Sequence, residues 1–228
     1  MANRYFTEDS LKFLKQLDKN NNREWFEQHK QEYEDRVRSP ALDFIADMAD
    51  AIESLSPHFL AIPKKVGGSM MRPYRDVRFS KDKRPFKTNV GIQFRHFMAK
   101  DVHAPGFYLH IEPGGCFVGA GIWHPEAEPL TAVRRAIDEK PQEWLKVSRA
   151  KPFTNLFELT GESLSNPPRG FRKDHSLIDD LKRKDFIAIA SLEDRRVVTS
   201  SIKTDVTRAF KTASPFMQFL CKALEIPF

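Results

Sequence analysis

The sequence predicts an α+β protein, a central antiparallel sheet with helices packed from the N-terminal and C-terminal segments. Three observations carry that expectation. Apolar residues recur with helical spacing over residues 7–55. From about residue 87 the period shortens to two, and after Trp123 it lengthens again to that of a helix. The chain holds neither an internal repeat nor a low-complexity linker, so residues 1–228 are read as one domain. Its parts are a helical segment 7–55, a sheet-rich segment 60–125, and a segment 126–228 of helices plus one further strand.

The elements follow in order. Thr7 is placed as a helix N-cap, with Phe6 and Leu11 spaced for a hydrophobic staple and Leu11, Leu14 and Leu17 forming the stripe. The "NNN" at 20–22 ends that helix, and Asn21 with Glu24 has the spacing of a second cap. Trp25, Phe26, His29, Tyr33 and Val37 continue the second helix, and Pro40 is expected to open a third through Leu55. In "NVGIQFRHF", Val90, Ile92 and Phe94 alternate with polar residues. In "GFYLHIEPGGCFVGAGIW" two strands flank Gly114-Gly115. A two-residue loop at those glycines sets Glu112 opposite Phe117, His110 opposite Gly119 and Tyr108 opposite Gly121. Phe107, Leu109 and Ile111 then form an apolar face with Val118, Ala120 and Ile122. The other face carries Tyr108, His110 and Glu112 beside bare glycines, and a glycine within a strand marks a bulge or a close approach. Helices are expected over 126–139 and from Pro141 to Val147, then an irregular loop over 164–175 and a short helix through Leu181. "DFIAIASL" reads as a strand, and two last helices run around Val206–Phe210 and from Ser214-Pro215 onward.

At 228 residues the chain can bury a substantial core, and 40% of it is hydrophobic. Its net charge of +6 is local: residues 72–89, "RPYRDVRFSKDKRPFKTN", hold seven bases against two acids, and so five of the six excess charges. This excludes a generally polybasic protein and directs attention to one segment. Two distant cysteines, Cys116 and Cys221, could pair but make no disulfide framework or CxxC metal pattern. "MANRYFTEDSLKFL" lacks a signal-peptide core, and no apolar run is long enough for a membrane span. The expectation is a soluble cytoplasmic protein with no membrane partner. Its oligomeric state is open.

In the basic segment Arg72, Arg75 and Arg78 offer forked donors for phosphate or carboxylate, Lys81, Lys83 and Lys87 add charge, and Ser80 adds a hydroxyl. Tyr74, Val77, Phe79 and Phe86 interleave with them and are expected to pin the segment to the core. The competing reading is a solvated loop whose arginines pair with surface acids, a type of contact that contributes about 0–1 kcal/mol. His110 and Glu112, two apart on a strand, share a face, where a carboxylate can orient a histidine for acid–base work. The plain alternative is the polar face of a half-exposed sheet. A metal at His110 and Glu112 would need Asp76, Asp174 or His175, so no metal and no cofactor are assigned. Arg169 in "PRGF" is a binding candidate on a rigid corner, against the plain reading of an exposed surface turn; Trp123 and Trp25 are candidate stacking platforms, though aromatics are more often core, and Tyr108 is a further binding candidate.

The strings "NNREWF", "RDVRFSKDKRPFKTN", "GFYLHIEPGGCFVGAGIW" and "PRGFRKDH" resemble a family of conserved hypothetical proteins of bacteria and fungi, a domain of unknown function. The resemblance spans nearly the whole chain and implies a single domain, but it brings no activity. Phe86 stands where the family pattern has tyrosine.

No P-loop, GxGxxG, GxSxG or HExxH occurs, which disfavours P-loop hydrolases, dinucleotide redox enzymes and the common serine hydrolases. Three functions stay open. One is a pocket for a phosphorylated or carboxylated small molecule, in which Arg75, Arg78 and Lys83 hold the anion and His110 and Glu112 move a proton. Another is a nucleic-acid-binding module that uses the same basic segment. The last is an interaction scaffold for an acidic partner protein.

Overall fold

A computed structural model describes residues 5–98 and 104–228 of the chain. Residues 1–4 of the N-terminal stretch and 99–103 of the sheet-rich segment lie outside the described residues. The architecture is α+β, with six antiparallel strands among the described residues: β1 (Phe59–Leu60), β2 (Val90–His96), β3 (Gly106–Ile111), β4 (Phe117–Ile122), β5 (Glu158–Thr160) and β6 (Phe186–Ser191). Their order across the sheet is β1-β2-β3-β4-β6-β5. The C-terminal third thus adds two strands to the sheet, not one. β5 is only three residues long and half exposed, so alternation is too short there to read.

The alternation in the central strands builds two unlike faces. Ile92 and Phe94, Phe107 and Leu109, Val118 and Ala120, and Phe186 and Ala188 are all buried on one side. The long helix Ile202–Ala223 packs there, with the Phe210 ring 4.8 Å from that of Phe107 and 5.8 Å from that of Phe94. Two helices were expected in this region, but one continuous helix holds Pro215 in its interior. Proline removes a main-chain hydrogen bond there, yet ten buried residues from Ile202 to Cys221 keep one face of the helix on the core.

The N-terminal helices keep their expected faces but not their expected boundaries. Glu8–Lys19 begins after Thr7, whose N–H donates to Ser10 Oγ (3.1 Å). The cap of the next helix is Asn22, whose side-chain oxygen accepts from Trp25 N (2.9 Å), and not Asn21. Pro40 opens no separate helix, because a π-helical turn, Glu34–Arg38, carries the chain into Ser39–Asp47 without a break. The break falls at Met48, before Ala49–Leu55.

The β3–β4 hairpin is shifted from its expected register. His110 faces Phe117 and Tyr108 faces Gly119. The turn is Pro113-Gly114, closed by Gly115 N–H to Glu112 O (2.8 Å), with Gly114 at φ 80°. Proline second and a left-handed glycine third suit a type II turn. Asp194 holds the turn from outside, accepting from Gly114 N at 2.9 Å. The slip leaves every side chain on its expected face, since each strand moves by whole pleats.

Cys116 and Cys221 do not pair; both are buried free thiols, and burial pushes each up to about 12. No helix among the described residues is long and apolar enough to cross a membrane.

Candidate functional site

Residues 72–88 form an irregular hairpin against the face of the sheet that the helices leave open. Its base is knitted by Arg75 N to Pro85 O (2.9 Å), Lys87 N to Pro73 O (2.7 Å) and a bridge between Tyr74 and Phe86. One long-range clamp fixes it. Asn21 Nδ2 donates to Phe86 O and Asn21 Oδ1 accepts from Phe86 N, both at 3.0 Å. The Phe86 ring, 2% exposed, stacks on Phe26 with centroids 4.1 Å apart. Tyr74 packs on Phe86 at 5.2 Å. Phe79 was expected to help pin the segment, but it is 94% exposed at the hairpin tip, with the Arg78 guanidinium over its ring.

Between hairpin and sheet lies a cleft of about 610 Å³. Arg75, Asp76, Lys87 and Met71 wall it from the hairpin side, while Tyr108, His110, Phe117, Gly119, Gly121 and Trp123 line it from the sheet. Of the residues singled out in the sequence, Arg75, Lys87, Tyr108, His110 and Trp123 meet here. Glu112 stands directly behind His110. Arg72 is exposed close to Lys87.

The others stand apart. Arg78 is locked onto Asp76 by both its Nε and Nη2 atoms (2.7 Å for the shorter), and that pairing holds the exposed Asp76 carboxyl down at about 2. Lys83 donates to Val77 O (3.0 Å) within the tip, where Ser80 and Lys81 also lie, outside the cleft lining. Arg169 is exposed on a turn closed by Phe171 N to Pro168 O (3.2 Å), and it does not line the cleft.

Inside the cleft the polar side chains form a chain. His110 Nε2 lies 3.2 Å from Glu112 Oε2, and Thr88 Oγ1 donates to Glu112 Oε1 (2.9 Å). A carboxylate only accepts, so the imidazole proton sits on Nε2 and the Nδ1 lone pair faces Tyr108. Tyr108 OH and Asn89 Nδ2 each approach Nδ1 to 3.2 Å. The imidazole stacks on Phe117 at 4.5 Å, and its side chain is 15% exposed. Burial holds the His110 pKa below its ordinary value, against the pull of Glu112. Burial, with Glu112 nearby, pushes the Tyr108 phenol up to about 12, so it stays a hydrogen-bond donor at neutral pH. Both His110 nitrogens are engaged, so Tyr108 is the hydroxyl at the end of the chain that lines the cleft.

The cations are unequally satisfied. Arg75 Nη1 bonds Asp82 (2.7 Å) and Arg84 O (3.2 Å), and Arg84 bonds Asp82 and Asp18. Lys87 differs. Half-buried, it has no carboxylate partner among the described residues, and its Nζ meets Met71 Sδ at 4.0 Å. Burial, reinforced by the nearby Arg72, pulls its pKa below the ordinary lysine value.

Two residues that the sequence did not single out as functional set the site. Asn21 read as a cap because three asparagines in a row hide which one caps. Asp185, buried at the start of β6, accepts from His124 N (2.7 Å) and Glu162 N (2.9 Å). It thereby holds His124 at φ 44° and fixes the strand end that carries Trp123. Nothing in "KRKDF" distinguishes that aspartate from its charged neighbours. Asp174 pairs with Arg172 and His175 with Asp138. Among the described residues no group of three or more His, Cys, Asp or Glu side chains could hold a metal.

An α+β scaffold with a hairpin-walled cleft on the open face of its sheet is thus the class that fold and site define. The chain belongs to the family described as conserved hypothetical protein (DUF2461), whose model matches residues 9–219. No curated protein and no solved structure matches it.

Proposed function

We propose that the cleft binds a small molecule carrying a carboxylate or phosphate group and presents to it the Tyr108 hydroxyl, with His110 and Glu112 behind it to pass a proton. Lys87 carries this reading. A half-buried ammonium without a counter-ion costs stability, and an anion entering the cleft supplies that counter-ion. Arg72 adds a second positive charge from the rim. The holding role falls to Lys87 and Arg72 in preference to Arg78, whose charge is engaged by Asp76, and to Lys83, which is exposed at the hairpin tip outside the cleft lining.

The test is thermal unfolding of the full chain with acetate and with inorganic phosphate, against chloride at equal ionic strength. A ligand at 100 times its Kd adds about 2.7 kcal/mol, which raises Tm by roughly 5–10 °C in a chain of this size. Wild type is expected to respond to at least one anion and Lys87→Met to neither. Wild type responding to no carboxylate or phosphate ligand overturns the reading.

A second reading, a grip on single-stranded nucleic acid, draws on Phe79, fully displayed beside Arg78 at the hairpin tip. Several cations that would serve it are already neutralised by Asp76, Asp82 and Asp18, so it takes second place. Oligonucleotide binding that falls steeply with salt and is lost in Phe79→Ala would establish it.

A further inference from the structure

We propose that the ligand of this cleft is a planar aromatic acid, its ring lying on bare backbone at Gly119 and Gly121 and its carboxylate turned to Lys87; this rests on the anion-binding reading above. The floor is the first observation. Gly106 and Gly121 face each other across β3 and β4, and Gly119 is the next residue of β4 on the same face. Same-face neighbours along a strand are about 7 Å apart and adjacent strands about 5 Å apart. The Gln93 side chain stands over Gly106, so the bare floor is the β4 strip from Gly119 to Gly121, about the length of a six-membered ring with its carboxylate. Ile187 and Ile189, opposite Gly121 and Gly119 on β6, form one edge, and Tyr108 forms the other. Trp123, two residues beyond Gly121 and half exposed, stands at one end and Phe117 at the other.

The reasons for the glycines are the second observation, and they differ. Gly121 has a backbone reason: φ is 131°, and a Cβ there would lie 2.0 Å from Phe186 O. A Cβ on Gly106 would come within 3.1 Å of Gln93 Nε2. Gly119 has neither. A Cβ there would meet Tyr108 Cβ at 3.6 Å, Phe117 Cε2 at 3.7 Å and Ala188 O at 3.8 Å, all ordinary contacts, and its φ is unexceptional. Glycine in mid-strand weakens the strand, so at position 119 it leaves open space over the sheet that no protein atom fills. A flat ring rests on peptide planes, whereas the axial hydrogens of a puckered ring hold it off.

The third observation is the split of chemistry around this floor. Apolar groups and the Gln93 amide surround it, while Lys87 supplies a cation from the hairpin side and Tyr108 a hydroxyl from the sheet. The space that a side chain on Gly91 would take is filled by Tyr108 OH and Met71 Sδ, and Lys87 Nζ touches the same sulfur. An aromatic carboxylate matches this split, with ring on the glycines and oxygens toward Lys87 and Tyr108. A free phosphate or a short-chain acid leaves the floor empty.

Calorimetric titration of the full chain with benzoate, cyclohexanecarboxylate, acetate, benzamide and inorganic phosphate tests this directly. Benzoate is expected to bind at least tenfold more tightly than each of the others. Gly119→Val is expected to lower benzoate affinity at least tenfold while leaving the thermal midpoint and the acetate response in place. Equal affinity for benzoate and cyclohexanecarboxylate, or binding of phosphate or acetate alone, overturns the planar ring and leaves the anion-binding reading standing. Failure of every anion overturns both.

Discussion

Asn21→Ala is expected to loosen the basic hairpin, and the structure gives the size of the effect. Asn21 spans 65 residues with two hydrogen bonds to Phe86, one donated and one accepted, each 3.0 Å long. A bond of this kind contributes about 1 kcal/mol net, and stranding a buried partner costs about 1–3 kcal/mol. The Phe86 amide and carbonyl flank a ring that is 2% exposed, so water reaches them poorly. The loss should be about 3 kcal/mol, or roughly 6–12 °C in Tm. Asn21→Asp keeps the acceptor for Phe86 N–H and loses the donor to Phe86 O, and should cost about half as much. Asn22→Ala, which removes only a helix cap, should cost about 1 kcal/mol. Urea unfolding ranks the three variants, and amide exchange across 72–89 reads the hairpin itself. A loss below about 0.5 kcal/mol for Asn21→Ala, with exchange in 72–89 unchanged, would refute the clamp.

Other expectations concern the cleft. Lys87→Met should raise the stability of the ligand-free protein by about 1 kcal/mol, because it removes a poorly solvated charge and keeps the apolar stem; a loss of that size in urea unfolding would mean that Lys87 serves the fold. Gly119→Ala should be neutral or stabilising by about 0.5–1 kcal/mol, whereas Gly121→Ala should cost about 3 kcal/mol or more through its positive φ and the clash with Phe186 O; equal effects of the two would remove the special status of Gly119. His110 titrates below its ordinary value in the fold, so between that depressed pKa and about 6.5 the unfolded chain binds the extra proton. Its contribution is therefore present above pH 6.5 and is lost as pH falls through the folded pKa. His96, also depressed by burial, acts in the same direction. His110→Gln should flatten the rise of stability just below pH 6.5 only in part, and an unchanged slope would show that the His110 imidazole is not buried neutral.

Much of the fold was legible because burial imposes simple periods. The two-residue period of β2, β3, β4 and β6 separated an apolar face from a polar, glycine-bearing one, and that separation survived a register slip because slips by whole pleats keep faces. The slip went unread because Gly114-Gly115 and Pro113-Gly114 both make plausible turns; Asp194, 80 residues away, holds the one that forms. Local charge excess marked the segment that walls the cleft, but not which of its cations lack a carboxylate partner. Asp76 and Asp82 inside that segment pair with Arg78, Arg75 and Arg84, and no local pattern shows that Lys87 is the cation without a carboxylate partner that lines the cleft. Exposure of Phe79 and the clamp at Asn21 likewise depend on where a loop returns in space, which no local pattern encodes.

The most direct measurement is the pKa of Lys87, followed through its side-chain carbon resonance by NMR in the free protein and with saturating benzoate. The anion-cleft account expects a value below the ordinary lysine pKa of about 10.4 in the free protein, and a rise on binding, since a ligand that prefers the ammonium must raise its proton affinity. An ordinary pKa in the free protein, unmoved by any anion, would contradict it.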